Sequence, residues 1–185
     1  MKENYCINSK IVLNSAIKSS QKKFEDFQIN PNVIILGIGF EVKLLDFIIP
    51  THSLGSDGTS VFYGRKSNEK GIINEDIVKI LIEISSKKSI DVHIGKNYSM
   101  EAFYRISKES INKLREEGII SMENGELNIL NTICNNVGVK FGALFYSYIN
   151  LLKGWKIPWM NSDLYRSVVE MEVNIALETF LKLES

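Results

Sequence analysis

Hydrophobic positions along the chain follow two different spacings in turn, and this alternation predicts an α/β fold. Branched apolar residues follow one another without polar interruption at positions 33–38 and 47–49, as in strands buried on both faces. After Asn74, apolar residues recur every three or four positions, which predicts a helix capped by that side chain. A similar stripe at positions 126–136 predicts another helix. Strands and helices in alternation favour a layered fold with a largely parallel sheet.

The other elements are predicted from shorter signals. Gly118 ends a helix predicted for positions 108–117, and Ser162 or Asp163 begins a long C-terminal helix. Further predictions are a helix at 9–27, strands at 90–94 and 139–149, and a turn at 56–58. Because no repeat or linker divides these elements, we predict a single domain over residues 1–185.

Composition narrows the class of protein without naming an activity. Lysine plus arginine number 22 and aspartate plus glutamate number 22, so no net charge favours nucleic acid or an anionic membrane. No apolar run reaches the length of a membrane span, and the first residues lack the apolar stretch of a secretory signal. Cys6 and Cys134 have neither metal-ligand nor disulfide-framework spacing. We therefore expect a cytoplasmic protein that binds neither nucleic acid nor a membrane.

Motifs in a fixed order give the first indication of ancestry. Positions 45–50 read Leu-Asp-Phe-Ile-Ile-Pro, and positions 57–60 read Asp-Gly-Thr-Ser. Positions 98–105 read Tyr-Ser-Met-Glu-Ala-Phe-Tyr-Arg, and Gly-Val-Lys-Phe-Gly-Ala at 138–143 follows the helix that begins near Glu126. Together these segments resemble the nucleoside phosphorylase superfamily, most closely its uridine phosphorylase branch.

This resemblance implies a three-layer α/β/α fold of the phosphorylase type, with a mainly parallel mixed sheet that lacks the family's first strands. It also implies a homo- or hetero-oligomer, because neighbouring subunits share active sites in this family. The implied ligand is a nucleoside or a ribose phosphate. No cofactor is implied, and phosphate would serve only as the co-substrate of an active enzyme.

The resemblance also nominates substrate-binding residues. The family's phenylalanine packs on the nucleobase, and its position falls here on Phe103, beside Tyr104. Its ribose-binding glutamate falls on Glu126, with Gly125 in place of the preceding methionine, when the alignment is counted back from Cys134. Counting forward from Gly118 leaves one extra residue, so Glu123 is the rival. A carboxylate there would orient the ribose hydroxyls and favour an oxocarbenium-like sugar. The structural alternatives are a core aromatic ring at Phe103 and a dipole-stabilising first-turn glutamate at Glu126.

The family's phosphate-binding and uracil-reading groups are not matched here. Leu36 stands near the family's arginine, and positions 37–40 replace its hydroxyl-bearing loop. Ser107 and Glu109 stand where the uracil-reading glutamine and arginine would be, and Leu151 replaces another arginine. The sequence therefore favours a nucleoside-binding protein without phosphorolysis over a working phosphorylase.

Two other functions stay open. The chain is alternatively a non-catalytic subunit that completes or regulates a longer phosphorylase, or an enzyme in which water replaces phosphate; no catalytic residue is nominated. Any surviving activity would be pentosyl transfer or nucleoside hydrolysis. For the remaining residues, His52 and His93 are interpreted as structural, Cys134 as core, and the Trp-Lys-Ile-Pro-Trp segment at 155–159 as a subunit contact.

Overall fold

A computed structural model describes residues 5–8, 37–39, 42–102, 105–150 and 162–184. In chain order the elements are β1 (Tyr5–Asn8), β2 (Gly37–Gly39), β3 (Phe47–Gly55), α1 (Gly58–Phe62), β4 (Gly71–Ile72), α2 (Glu75–Lys87), β5 (Val92–Ser99), α3 (Lys108–Glu116), β6 (Ile119–Glu123), α4 (Glu126–Asn136), β7 (Lys140–Ala143), β8 (Phe145–Asn150) and α5 (Asp163–Glu184). Helices flank a mixed sheet of mostly parallel strands, so the predicted α/β class is confirmed.

The central sheet has the strand order β4-β3-β5-β6-β2-β8. β3, β5 and β6 run parallel to one another, and β2 runs parallel to β8 but antiparallel to β6. The sheet also closes on itself, because Phe47 and Ile48 of β3 pair with Tyr146 and Phe145 of β8. β1 and β7 form a separate parallel pair. Parallel pairing brings the carboxyl ends of β5 and β6 together, because Ser99 lies opposite Glu123.

Capping and apolar burial explain the helices. The Asn74 side chain accepts the Ile77 amide hydrogen at 3.1 Å, as its N-cap position predicts. Ile77 and Leu81 are fully buried in the main core, and α2 contacts α5. At the start of α5 the Ser162 hydroxyl accepts the Tyr165 amide hydrogen at 3.1 Å. In the described residues, no helix is both long and apolar enough to span a membrane.

Several predicted bounds are confirmed and others need correction. Helices were predicted at 108–117 and 126–136, and they form as α3 and α4. The turn predicted at 56–58 is instead the start of α1, because Asp57 caps it by accepting the Ser60 amide hydrogen at 2.6 Å. The long strand predicted at 139–149 is interrupted at Leu144, which divides β7 from β8.

The remaining differences concern strands. β5 was predicted at 90–94 but runs from Val92 to Ser99, since its second half carries polar residues whose partners lie on other strands. The sequence did not predict β6. The strand predicted at 33–38 coincides with β2 only at its end, and its remainder lies outside the described residues, as does the helix predicted at 9–27.

Candidate active site

Two glutamates lie where the carboxyl ends of β5 and β6 meet the first turn of α4. Glu123 ends β6 and Glu126 begins α4, so only two residues link strand to helix. Gly125 makes this link with φ of 109°, in the left-handed region that favours glycine. A Cβ atom there would also lie 3.3 Å from Cγ of Glu101. The short link therefore fixes both glutamates relative to the sheet.

Glu123 is completely buried and held from the neighbouring strand. The hydroxyl of Ser99 donates to its Oε1, and Nδ2 of Asn97 donates to the same oxygen at 3.0 Å. Asn97 is itself fixed, because Oγ of Ser121 donates to its Oδ1 at 2.9 Å. Oε1 of Glu123 thus accepts two hydrogen bonds, and both donors lie on β5, which fixes the orientation of the carboxyl group.

One oxygen of each glutamate is buried without a hydrogen-bond donor among the described residues. Neither Oε2 of Glu123 nor Oε2 of Glu126 accepts a hydrogen bond from the described part of the chain. Burial raises the pKa of Glu123 well above the ordinary value, and the adjacent Glu126 carboxyl raises that pKa further. The Ser99 hydroxyl and the Leu127 amide act in the opposite direction.

Replacing Glu123 with glutamine is expected to stabilise the protein at neutral and higher pH. Because the pKa of Glu123 is raised in the folded state, its stabilising contribution is complete below the ordinary glutamate pKa and is lost as pH rises through the raised value. Glutamine cannot ionise, so the variant avoids that loss. We expect urea unfolding at pH 8 to show a gain of about 1–3 kcal/mol, and a smaller gain at pH 5.

The exposed residue Glu116 supplies the control for this comparison. Glu116→Gln should leave unfolding within about 0.5 kcal/mol of the parent at both pH values. A Glu123→Gln protein that is equally destabilised at pH 5 and pH 8 would show that the buried carboxyl is ionised in the fold and that our assignment is wrong.

A second polar cluster anchors the helix that carries Glu126. The Asn128 amide donates to Oδ2 of Asp57 at 2.6 Å, and its Oδ1 accepts from Nη1 of Arg65 at 2.7 Å. Nη2 of Arg65 donates to Oδ1 of Asn131 at 2.6 Å, and its Nη1 to Oγ of Ser53 at 3.2 Å. Burial lowers the pKa of the Arg65 guanidinium, and the charges of Glu69 and Asp57 oppose that shift. Since Asn128 lies two positions after Glu126, this cluster sets the register of α4 against β3.

The two clusters are joined. The backbone amide of Asn128 donates to Oγ of Ser99 at 3.1 Å, and Ser99 donates in turn to Glu123. Ser99, Asp57, Glu123 and Asn128 are all essentially buried. The carboxyl pair therefore lies on a preformed polar scaffold, the arrangement that binding sites use to hold a side chain in one position.

The residues nominated from the motifs are only partly brought together. Gly125 and Glu126 lie next to each other at the start of α4, and the rival Glu123 lies directly behind them at the end of β6. Phe103 and Tyr104 are outside the described residues; the positions on either side, Ala102 and Arg105, are exposed. Which glutamate holds a ribose stays a prediction.

Sequence reasoning missed the residues that hold the carboxyl pair. Asn97 and Ser99 lie in a strand whose second half was not predicted, and Arg65 lies in the segment after α1. A signal was present for part of this network, because Asn128 and Asn131 interrupt an apolar helix at core-facing spacing.

The other candidate residues each have a partner within the fold. Nε2 of His93 lies 2.9 Å from Oδ2 of Asp46, and Nδ1 of His52 lies 2.9 Å from Oγ1 of Thr51. Cys134 is buried in the main core, as predicted. In the described ranges, no group of three or more histidine, cysteine, aspartate or glutamate side chains is arranged to hold a metal ion.

Comparison with known proteins agrees with the motifs. The family model described as the phosphorylase superfamily matches residues 36–157, which include the carboxyl pair and its scaffold. No curated protein matches the chain. The matched range covers most of the chain, and the α/β fold with its mixed sheet agrees with it. The chain belongs to the phosphorylase superfamily.

Proposed function

We propose that this phosphorylase-family chain binds a nucleoside through Glu126 and does not carry out phosphorolysis. The observation that supports this most is the carboxyl pair at the carboxyl ends of β5 and β6, where Oε2 of each glutamate accepts no hydrogen bond from the described residues. Ribose hydroxyl groups are donors of the kind these oxygens lack. Glu126 is only partly buried whereas Glu123 is completely buried, so Glu126 is the residue that contacts the ligand.

The other parts of the proposed site follow from the family motifs. Phe103 stacks on the nucleobase with Tyr104 beside it, and Gly125 allows the sharp turn that brings Glu126 to the sugar. Glu123 lies behind Glu126, where Ser99 and Asn97 hold its carboxyl group. The ligand is a nucleoside of the kind that the uridine phosphorylase branch takes, and the protein acts in the cytoplasm.

The charges around the pair disfavour a phosphate dianion. Glu101 lies beside Gly125, where its Oε2 accepts the Gly58 amide hydrogen at 3.2 Å, and Asp57 caps α1 nearby. The Arg65 guanidinium is already hydrogen-bonded to Asn128 and Asn131. An anionic ligand placed among these carboxylates would meet like charge. A neutral nucleoside avoids this repulsion, and so does water as an attacking group.

Calorimetric titration in the presence and absence of phosphate tests this function. We expect uridine or inosine to bind saturably, with the same affinity in both buffers, and ribose 1-phosphate to bind less tightly. Release of free base should not depend on phosphate. Affinity that rises with phosphate, or base release that requires it, would show a working phosphorylase and contradict the proposal.

A second function has support from the surface of α1. Phe62 is 88% exposed, and its neighbours Val61 and Tyr63 are about half exposed, in a helix that contacts α4. Adjacent exposed apolar side chains of this kind mark contact surfaces. The alternative is therefore a non-catalytic subunit that assembles with a longer phosphorylase chain. Under this alternative no nucleoside binds to the isolated chain, and light scattering shows association that Phe62→Ser abolishes.

A further inference from the structure

A cavity of about 630 Å³ lies at the opposite end of the strands that carry the carboxyl pair. Val92 and Ile119, the first residues of β5 and β6, line it, whereas Ser99 and Glu123 end these same strands. β5 and β6 are parallel, so the cavity and the carboxyl pair are separated by the length of the sheet. The cavity is therefore a feature distinct from the proposed nucleoside site. Its volume is within the range that small-molecule sites occupy.

The lining combines an apolar wall with basic groups. The wall consists of branched aliphatic side chains, which are Val42, Val92, Ile94, Ile119 and Ile120. The polar side of the cavity is lined by His93 and by Arg115, which lies near the end of α3. The cavity therefore offers both apolar and polar surface to a ligand.

The polar groups favour a negative charge on the ligand. The His93 ring is oriented by Asp46, whose Oδ2 lies 2.9 Å from Nε2. Lys96 adds a third basic group at the rim, because its Nζ donates to the Glu117 carbonyl at 2.7 Å and lies 3.6 Å from where a Cβ on Gly118 would be. An arginine fork suits the planar or tetrahedral oxygens of a carboxylate or phosphate.

We propose that this cavity is a second ligand site, which binds a small organic anion with an apolar body. Arg115 and His93 contact the anionic group, and the isoleucine wall covers the body. The proposal does not depend on the nucleoside site, because none of its residues belongs to the carboxyl pair or its scaffold. A ligand at this end of β5 and β6 contacts the same two strands that position Glu123.

Titration with matched probes tests the site directly. Benzoate and phenyl phosphate supply the two kinds of anion, and benzamide supplies a neutral analogue of nearly the same shape. We expect at least one anion to bind saturably and roughly tenfold or more tighter than benzamide, as charge-assisted hydrogen bonds predict. The preferred anion identifies the chemical class of the natural ligand. Equal affinity for benzoate, phenyl phosphate and benzamide, or no binding of any of them, would overturn the proposal.

Two variants and a control locate the binding. Arg115→Gln should weaken anion binding roughly tenfold or more, whereas Lys113→Gln, an exposed position on the same helix, should not change it. Ile94→Trp obstructs the cavity from a half-exposed position and should abolish anion binding while thermal unfolding confirms that the protein is folded. Equal losses from the substitutions at Arg115 and Lys113, or undiminished binding in Ile94→Trp, would place the anion elsewhere and contradict the site.

Discussion

Replacing Glu126 with alanine is expected to lower the affinity for a nucleoside about 100-fold or more, because two charge-assisted hydrogen bonds to ribose hydroxyls would be lost. The same substitution removes the like charge that raises the pKa of Glu123. The folded state should therefore be no less stable than the parent at pH 8, so lost binding would not arise from unfolding. Calorimetric titration with uridine and inosine, paired with urea unfolding, measures both effects.

Asn124 offers a matched control for Glu126. It is exposed and lies in the same short link between β6 and α4, so Asn124→Ala perturbs the link without touching the carboxyl pair. We expect this variant to bind nucleoside like the parent. Retention of full affinity in Glu126→Ala would transfer the ribose-binding role to Glu123 or remove it from this site altogether.

Replacing Arg65 with methionine is expected to destabilise the protein by about 1–3 kcal/mol, since it leaves Oδ1 of Asn128 unpaired and removes one donor from Oδ1 of Asn131. Asn128 and Asn131 each accept a hydrogen bond from the guanidinium, and both side chains are buried. Methionine keeps an unbranched apolar stem but supplies no donor. The free energy of unfolding in urea measures the loss, and nucleoside affinity should fall with it because α4 carries Glu126.

Lys66 is the matched control for Arg65. It is exposed and adjacent in sequence, and its side chain takes no part in the cluster around Asn128. Lys66→Met should change the free energy of unfolding by no more than about 0.5 kcal/mol. If both variants unfold at the same urea concentration as the parent, Arg65 does not anchor α4.

The helices were predictable because their signals are local. Asn74 accepts the amide three residues on, and the stripe that begins at Glu126 follows one face of α4. Asp57 also carried a local signal, but an Asp-Gly pair is common both in turns and at the starts of helices. The hydrogen bond from the Ser60 amide to Asp57 shows that here it starts a helix. The interruption at Leu144 has no local signal, since β7 and β8 end up beside different strands.

The candidate site was predictable only where a motif gave it. Glu126 and its rival Glu123 were found by counting from flanking motifs. The two counts differ by one residue, and the difference falls in the short link between β6 and α4 that contains Gly125. The partners of Glu123 were not predictable, because Asn97 and Ser99 lie on the neighbouring strand β5 and are distant from Glu123 in sequence. Pairing of a buried carboxyl with polar groups distant in sequence depends on strand register, which spacing along one segment does not determine.

Closure of the sheet ring has a consequence for biosynthesis. Phe47 and Ile48 pair with Tyr146 and Phe145, so this ladder cannot form until β8 has left the ribosome. Contacts between such distant positions slow folding, and an unpaired strand in a partly made chain invites aggregation. The β3 edge that β8 covers in the finished protein is therefore where a nascent chain most needs a chaperone.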